Sequence, residues 1–136
     1  ELLAYLRGPY SQKLTETGTG RPVVLAVVTN KPESISNEIL DKFGMRDYFS
    51  IVVGPESVKN LKPDPEGILK VLDFTNSSPS QTLMIGDSKA DVLAARAAGV
   101  DICARLGGLG NQEQLIASQP DFFIKRLDDL ISILED

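Results

Sequence analysis

The feature that most constrains the fold is an unbroken apolar run from Val23 to Val28, which contains four valines and leads into Thr29 and Asn30. A strand that is apolar at every position is normally covered on both faces, as the central strands of parallel sheets are. Four shorter apolar runs follow, and segments with helical spacing of their apolar residues separate them. This alternation predicts an α/β domain, a Rossmann-like three-layer core around a mostly parallel sheet.

The other elements are placed by the same periodicities and by turn residues. Further strands are predicted at residues 51–53, 82–85, 102–104 and 121–124, and helices over residues 35–43, 64–74, 89–98, 112–118 and 127–134. A flexible glycine loop is expected over residues 107–111. Residues 1–20 are predicted as an N-terminal part, a helix that Gly8 and Pro9 interrupt followed by an exposed loop over residues 11–20. Residues 21–136 are predicted to form the core.

The composition excludes several types of active site and argues against some types of partner. The chain has 136 residues, enough for one domain, and no histidine, which excludes histidine-based triads and His-ligated zinc for this chain acting alone. The net charge is −5 with no basic block, which argues against nucleic acid as a partner. No apolar run approaches the roughly 20 residues that a membrane span needs. The single Cys103 cannot form an intrachain disulfide, so a reducing, cytoplasmic location is expected.

Polar residues that could carry chemistry follow three of the predicted strands. Thr29 and Asn30 offer hydroxyl, amide and backbone N–H donors to an anion such as phosphate, although turn or cap roles are commoner. Lys62 lies in a proline-flanked loop that could aim its ammonium, or it is simply a solvated loop lysine. Asp87 and Asp91 suit a hard cation such as Mg²⁺, or serve only as helix caps.

The order of these groups along the chain favours a functional interpretation. Because ligands of open α/β sheets bind beyond the carboxyl ends of the strands, Thr29, Lys62 and Asp87 are expected at one edge of the sheet. A divalent cation, a lysine and hydroxyl or amide donors together can bind and orient a phosphoryl group. The sequence therefore predicts phosphoryl chemistry that uses Mg²⁺ on a small phosphorylated metabolite.

Three stretches, in this order, resemble motifs of the haloacid dehalogenase-like hydrolases, and within them the phosphoglycolate phosphatase-like branch. They are residues 25–32 (LAVVTNKP), 61–65 (LKPDP) and 85–99 (IGDSKADVLAARAAG), with a closing Pro-Asp at residues 120–121. The resemblance runs from about Arg21 to the C-terminus.

The resemblance implies a role for each candidate residue. Thr29, together with Asn30, would bind phosphate, and Lys62 would steady both the phosphate and the nucleophile. Asp87 would be the Mg²⁺ ligand and Asp91 its supporting acid at the same metal site, so that Lys62, Asp87 and Asp91 form the catalytic set.

The family's first motif, Asp-x-Asp-x-Thr on an opening strand, has no counterpart in this sequence, and neither has its helical cap domain. In the family, the first of these aspartates forms an aspartyl-phosphate. The chain is therefore expected to be the C-terminal core of a Mg²⁺-dependent phosphatase of small phosphomonoesters, inactive by itself.

In the family's sheet, the first-motif strand lies between the strands that end at Thr29 and Asp87. Both inner edges are then expected to need a partner, because unpaired backbone groups are costly to bury. An N-terminal fragment, a second copy of this chain or a rearranged local strand could fill the gap.

Two other interpretations remain open. The chain could be a non-catalytic or regulatory domain that binds phosphate and Mg²⁺ without turnover, and an Asp-x-Asp-x-Thr motif upstream in the reading frame would argue against that. It could also be a phosphoacceptor receiver domain, which shares the parallel sheet, a Lys-Pro pair, a threonine and aspartates. Receivers place their acidic residues first and Lys-Pro last, whereas here Thr29 precedes Lys62, which precedes Asp87.

Overall fold

The computed structural model describes residues 2–16, 21–108 and 110–135, and these residues form five strands that alternate with helices. The strands are β1 (Leu25–Val28), β2 (Phe49–Val53), β3 (Leu83–Gly86), β4 (Asp101–Arg105) and β5 (Phe122–Ile124). The helices are α1 (Leu2–Tyr5), α2 (Ser11–Glu16), α3 (Glu33–Lys42), α4 (Glu66–Thr75), α5 (Lys89–Ala98), α6 (Gln112–Ala117) and α7 (Leu130–Glu135). A π-helical turn joins α1 to α2, and single 3₁₀ turns lie at residues 46–48, 55–57, 79–81 and 127–129.

All strand pairs are parallel, as predicted, but they form two sheets. β1 pairs with β2, with Val28 opposite Val53, and the other sheet has the order β3-β4-β5. Within the described residues β1 and β3 are not paired with each other, and no local strand lies between them. The expectation of two unpaired inner edges is therefore confirmed.

The core is concentrated on the β3-β4-β5 sheet. Ile102, Cys103 and Ala104 in β4 are completely buried, whereas all four residues of β1 are only half-buried. One cluster joins β4 to α4 and α5 on one face of the sheets. A second cluster on the other face contains Cys103, Ile124 and Leu130, with Leu2 packed against it. Two covered faces explain why β4 is apolar along its buried residues.

A cavity of about 680 Å³, which we name the inter-sheet cleft, lies between β1 and β3. Its side walls are residues 25–28 of β1 and residues 83–85 of β3. Apolar residues from both faces of the fold line it further, among them Leu2, Leu6, Ile68, Leu72, Leu130 and Leu134. The cleft is therefore bounded by two parallel strands at its sides and by apolar side chains above and below.

The N-terminal part differs from the predicted interrupted helix and exposed loop. Gly8 and Pro9 lie inside the π-helical turn, and the chain continues as α2 from Ser11, which is buried. The Ser11 hydroxyl donates to Leu6 O at 2.6 Å and accepts from Val23 N at 2.8 Å. Residues 11–16 are therefore helical and Ser11 is bonded to the segment before β1, while the rest of the predicted loop, residues 17–20, lies outside the described residues.

Two helices leave part of their apolar faces open. On α3, Ile35 and Ile39 are 48% and 42% exposed, and Phe43, the residue after this helix, is 67% exposed. On α4, Ile68 and Leu72 are buried, but Leu69 and Phe74 are exposed. The spacing of the apolar residues predicted the helices, but it did not show which of these residues are covered.

None of the helices in the described ranges has the length and apolar character required to cross a membrane.

Candidate functional site

The candidate residues lie at the carboxyl ends of β1 and β3 and in the loop before α4. Thr29 follows β1 directly, Asp87 follows β3 directly, and Asp91 lies in the first turn of α5. Lys62 belongs to the loop between the 3₁₀ turn at residues 55–57 and α4. Lys62 Nζ bonds both Val28 O at the end of β1 and Asp91 after β3, so the carboxyl ends of these two strands lie close together.

The ammonium of Lys62 connects the two sheets at this edge. Lys62 Nζ donates to Val28 O, the last carbonyl of β1, at 3.0 Å and to Asp91 Oδ1 at 2.6 Å. The Lys62 and Asp91 side chains are only 13% and 7% exposed, so water screens the ion pair weakly. An ammonium has three N–H donors, and one remains for a further acceptor such as a phosphate oxygen.

The Asp91 carboxylate organises the turn after β3. Its Oδ2 atom accepts from Asp87 N at 3.1 Å, from Ser88 N at 3.2 Å and from Ser88 Oγ at 2.9 Å. A Cβ on Gly86 would lie 2.5 Å from Asp91 Cγ, so only glycine fits there. Sequence reasoning missed Ser88, although a serine three residues before an acidic residue is the signal of a capping box.

Asp87 is half-buried beneath the glycine loop that follows β4. A Cβ on Gly108 would lie 2.5 Å from Asp87 Cβ, and a Cβ on Gly110 would overlap Asp87 O. The loop that the sequence marked only as flexible therefore lies directly against the candidate metal ligand.

Thr29 and Asn30 are held by β2 and by residues 58–65, the loop that contains Lys62, which we name the lysine loop. Thr29 N donates to Val53 O at 2.9 Å, and Thr29 Oγ1 accepts from Lys31 N at 3.0 Å. The Asn30 amide bonds twice to the backbone of Lys62, since Nδ2 donates to Lys62 O at 3.3 Å and Oδ1 accepts from Lys62 N at 3.2 Å. The structure thus brings all five predicted residues into one hydrogen-bonded region.

Glu66, which sequence reasoning did not single out, anchors the start of the lysine loop. Its carboxylate accepts from Lys59 N at 2.7 Å and from both the backbone N and Nδ2 of Asn60 at 3.2 Å. The hydrogen bond from Lys59 N is the largest cause that lowers the pKa of Glu66. A glutamate in a first helical turn is common for reasons of helix polarity alone, so the sequence offered little signal for this role.

The Pro-Asp pair at residues 120–121 lies away from this edge. Asp121 accepts from Ile102 N, near the start of β4, at 2.9 Å, and both its oxygens lie 3.0 Å from Arg96 Nη1. Hydrogen bonding to Ile102 N first, and to Arg96 second, lowers the pKa of Asp121. This pair therefore fastens α5 and β5 to β4.

The described residues fit a Mg²⁺ ion only in part. They contain no group of three or more His, Cys, Asp or Glu side chains placed to hold a metal. Both oxygens of Asp91 already accept hydrogen bonds, and Asp87 lies beside this carboxylate directly after β3. Mg²⁺ commonly keeps several waters and takes one or two carboxylates together with substrate phosphate, so Asp87 would supply one part of such a shell.

The sequence of this chain is similar to those of known proteins. Residues 13–105 match the family model described as haloacid dehalogenase-like hydrolase. A phosphoglycolate phosphatase of Vibrio vulnificus strain CMCP6 is 38% identical over 113 residues, which cover 81% of this chain and 48% of that protein. A phosphoglycolate phosphatase of Escherichia coli K12 is 36% identical over 110 residues, covering 81% and 44%. The chain spans about half the length of these relatives.

Solved structures share the fold. A predicted phosphoglycolate phosphatase from Haemophilus somnus 129pt superposes with a TM-score of 0.79 at 28% identity, over 93% of this chain and 55% of that one. A subfamily IA hydrolase of the haloacid dehalogenase superfamily from Geobacter sulfurreducens PCA superposes with a TM-score of 0.70 at 33% identity, over 90% and 58%.

Proposed function

This chain belongs to the haloacid dehalogenase-like hydrolases, and we propose that it is the C-terminal core of a Mg²⁺-dependent phosphatase of small phosphomonoesters. The observation that carries this proposal is the position of Lys62, whose ammonium is bonded to both β1 and Asp91 at the edge where Thr29 and Asp87 also lie. An anion at this edge would meet a lysine donor, a threonine hydroxyl and backbone N–H groups.

In this proposal each residue acts on the phosphoryl group in a definite way. The third N–H donor of Lys62 binds a phosphoryl oxygen, while the hydroxyl of Thr29 orients another. Asp91 keeps the ammonium in place and holds the turn that presents Asp87. Asp87 is the residue that would hold Mg²⁺, which when bound offsets the negative charge of the phosphoryl oxygens.

The phosphoryl acceptor is proposed to come from a strand that occupies the inter-sheet cleft. A strand parallel to β1 and β3 would pair with both edges, and its carboxyl end would emerge beside Thr29, Lys62 and Asp87. Because the cleft is apolar on both faces, the strand should be apolar at successive positions. This supports an N-terminal fragment that carries the family's Asp-x-Asp-x-Thr motif as the complementing partner.

The proposed reaction is the one that the family resemblance implies. An aspartate oxygen of the inserted strand forms a bond to phosphorus while the bond from phosphorus to the alcohol oxygen breaks, which gives an aspartyl-phosphate. Water then releases phosphate, and the second aspartate of the motif transfers the protons. The lone, buried Cys103 takes no part and accords with a cytoplasmic location.

Complementation tests the proposal directly. The chain alone, assayed with Mg²⁺ and phosphoglycolate or p-nitrophenyl phosphate, is expected to show no turnover. Co-expression with the N-terminal half of the Vibrio vulnificus relative should restore turnover, and Lys62→Ala or Asp87→Ala should remove it again. Light scattering should show a one-to-one complex, whereas a dimer of this chain alone would identify a second copy as the partner.

Turnover by the unaccompanied chain that survives both substitutions would overturn the proposal. Binding of inorganic phosphate and Mg²⁺ without turnover, even in the complex, would instead favour a non-catalytic binding or regulatory domain.

A further inference from the structure

Asn30 and Lys62 are connected by two hydrogen bonds that join a side-chain amide to the backbone of a single residue. Asn30 Nδ2 donates to Lys62 O at 3.3 Å, and Asn30 Oδ1 accepts from Lys62 N at 3.2 Å. The amide therefore satisfies both polar backbone groups of Lys62, as a neighbouring strand would. We propose that Asn30 is a positioning residue, which fixes the backbone of Lys62 so that its ammonium reaches Val28 O and Asp91, and that its side chain does not bind the phosphate itself.

The lysine loop needs such a support because its middle has few other anchors. Glu66 holds Lys59 and Asn60 at the start of the loop, and a turn bond from Asp64 N to Leu61 O at 2.9 Å closes its end. Between these points, Leu61 is 43% exposed. A lysine side chain has four rotatable bonds, so its ammonium keeps one position only if its backbone does.

Asn30 is itself held in place by the β1–β2 sheet. It follows β1, which is paired with β2, and the preceding residue donates from Thr29 N to Val53 O at 2.9 Å. Through its two bonds to Lys62, Asn30 thus fixes the position of the lysine loop relative to the β1–β2 sheet. The order of contacts runs from Val53 through Thr29 and Asn30 to Lys62, and then through the ammonium to Asp91.

The alternative is that the side chain of Asn30 binds the phosphate directly. If the Asn30 amide bound a phosphoryl oxygen through the N–H that now points at Lys62 O, that bond would have to break. If Asn30 acted only by contacting phosphate, removing its side chain would leave the backbone of Lys62 unchanged in the chain without phosphate. The two roles can therefore be separated in the protein without ligand.

Hydrogen exchange of the chain without phosphate, followed by NMR, tests the positioning role. In Asn30→Ala the Lys62 amide should exchange about tenfold faster, because roughly two net hydrogen bonds are lost. Asn30→Asp keeps the acceptor for Lys62 N and should retain most of the protection of the Lys62 amide. This variant still tests the inference if Asn30→Ala does not fold. Asn60→Ala removes an amide of the same loop that bonds Glu66 instead, and it should leave the Lys62 amide within about twofold of its original rate.

A second measurement, which rests on the proposed function, tests whether the position of Lys62 affects the binding of phosphate. Titration with inorganic phosphate should give a dissociation constant about tenfold higher in Asn30→Ala than in the original chain. An unchanged exchange rate at Lys62 in Asn30→Ala would overturn the inference, and weakened phosphate binding alongside it would show that Asn30 contacts the anion directly. If the original chain binds no phosphate but exchange at Lys62 rises as expected, the proposed function fails while the positioning role stands.

Discussion

Lys62 Nζ lies 2.6 Å from Asp91 Oδ1, and this ion pair joins the loop before α4 to the helix that follows β3. Since β1 and β3 are not paired with each other in the described residues, the pair is a polar link between the two sheets at the edge where the candidate residues lie. Its Asp91 partner also holds the turn at residues 87–88 through its other oxygen. One carboxylate thus sets the position of both the lysine and the neighbouring aspartate.

Asp91→Ala should therefore destabilise the chain more than Lys62→Met does. Loss of Asp91 leaves an almost buried ammonium and three further donors without their acceptor, for an expected loss of about 3 kcal/mol in the free energy of unfolding. Lys62→Met leaves the Asp91 carboxylate without its countercharge but still bonded to those three donors, so a smaller loss of about 2 kcal/mol is expected. Urea unfolding at pH 7 measures both values, and equal losses would contradict the organising role of Asp91.

Gly108→Ala should disturb Asp87, because the new Cβ would lie 2.5 Å from Asp87 Cβ. Either the glycine loop or the aspartate must move, at an expected cost of about 1–3 kcal/mol. The increase in thermal midpoint on adding Mg²⁺ should also shrink. Gly107→Ala is the matched control, since its Cβ meets nothing within 4 Å and only its φ of +85° is strained. A control that reduces the Mg²⁺ response as much as Gly108→Ala would show that loop strain, not contact with Asp87, is responsible.

Asp121 should contribute to the loss of stability in acid. Hydrogen bonds from Ile102 N and Arg96 hold its pKa below the ordinary 3.8, so the ionised form stabilises the fold at higher pH. That stabilisation is complete above about pH 5 and is lost as the pH falls through the lowered pKa of the folded state. The urea midpoints of the original chain and of Asp121→Asn should differ most near neutral pH and converge as the pH falls below the lowered pKa of Asp121. Asp73→Asn, on the exposed side of α4, removes a carboxylate of the same type away from β4 and is the matched control.

Cys103 should be unreactive in the folded chain. It is completely buried in β4, and this burial raises the pKa of its thiol to about 11. The thiolate is the reactive form, so a disulfide reagent at pH 8 should modify it only when the chain unfolds. Absorbance of the released thiol, followed against urea concentration, should coincide with unfolding measured by circular dichroism. Rapid modification in the absence of urea would show that β4 opens locally.

Local signals predicted several elements closely. The helix predicted over residues 89–98 is α5 with the same bounds, because its alanine-rich sequence favours a helix and Gly99 ends it. The apolar run from Val23 was correctly placed as a strand, although only residues 25–28 pair with β2. Periodicity and capping are properties of neighbouring residues, so a sequence displays them directly.

Contacts between distant residues were not predictable in the same way. Gly8 and Pro9 should interrupt a helix by local rules, yet the chain passes through them in a π-helical turn. Arg7 Nη1 donates to Tyr48 O at 2.8 Å, and Ser11 bonds Val23 N. Such long-range partners decide the outcome and leave no pattern in the local sequence.

At the candidate site, the types of residue were visible in the sequence but their partners were not. That Asn30 bonds the backbone of Lys62, and that Asp91 bonds its ammonium, depends on loops whose path no periodicity describes. The role of Glu66 was missed for the same reason, since its partners lie six and seven residues earlier in the lysine loop.

The uneven burial of the two sheets has a consequence for the order in which the molecule opens. β4 is fully buried at its centre, while every residue of β1 is only half-buried, so the β1–β2 sheet should form the less stable cooperative unit. Thr29 and Asn30 belong to that unit, whereas Asp87 follows β3 in the more stable β3-β4-β5 sheet. Partial unfolding would therefore separate Thr29 and Asn30 from Asp87 before the core of the domain is lost. A strand that occupies the inter-sheet cleft would merge the two units into a single cooperative transition.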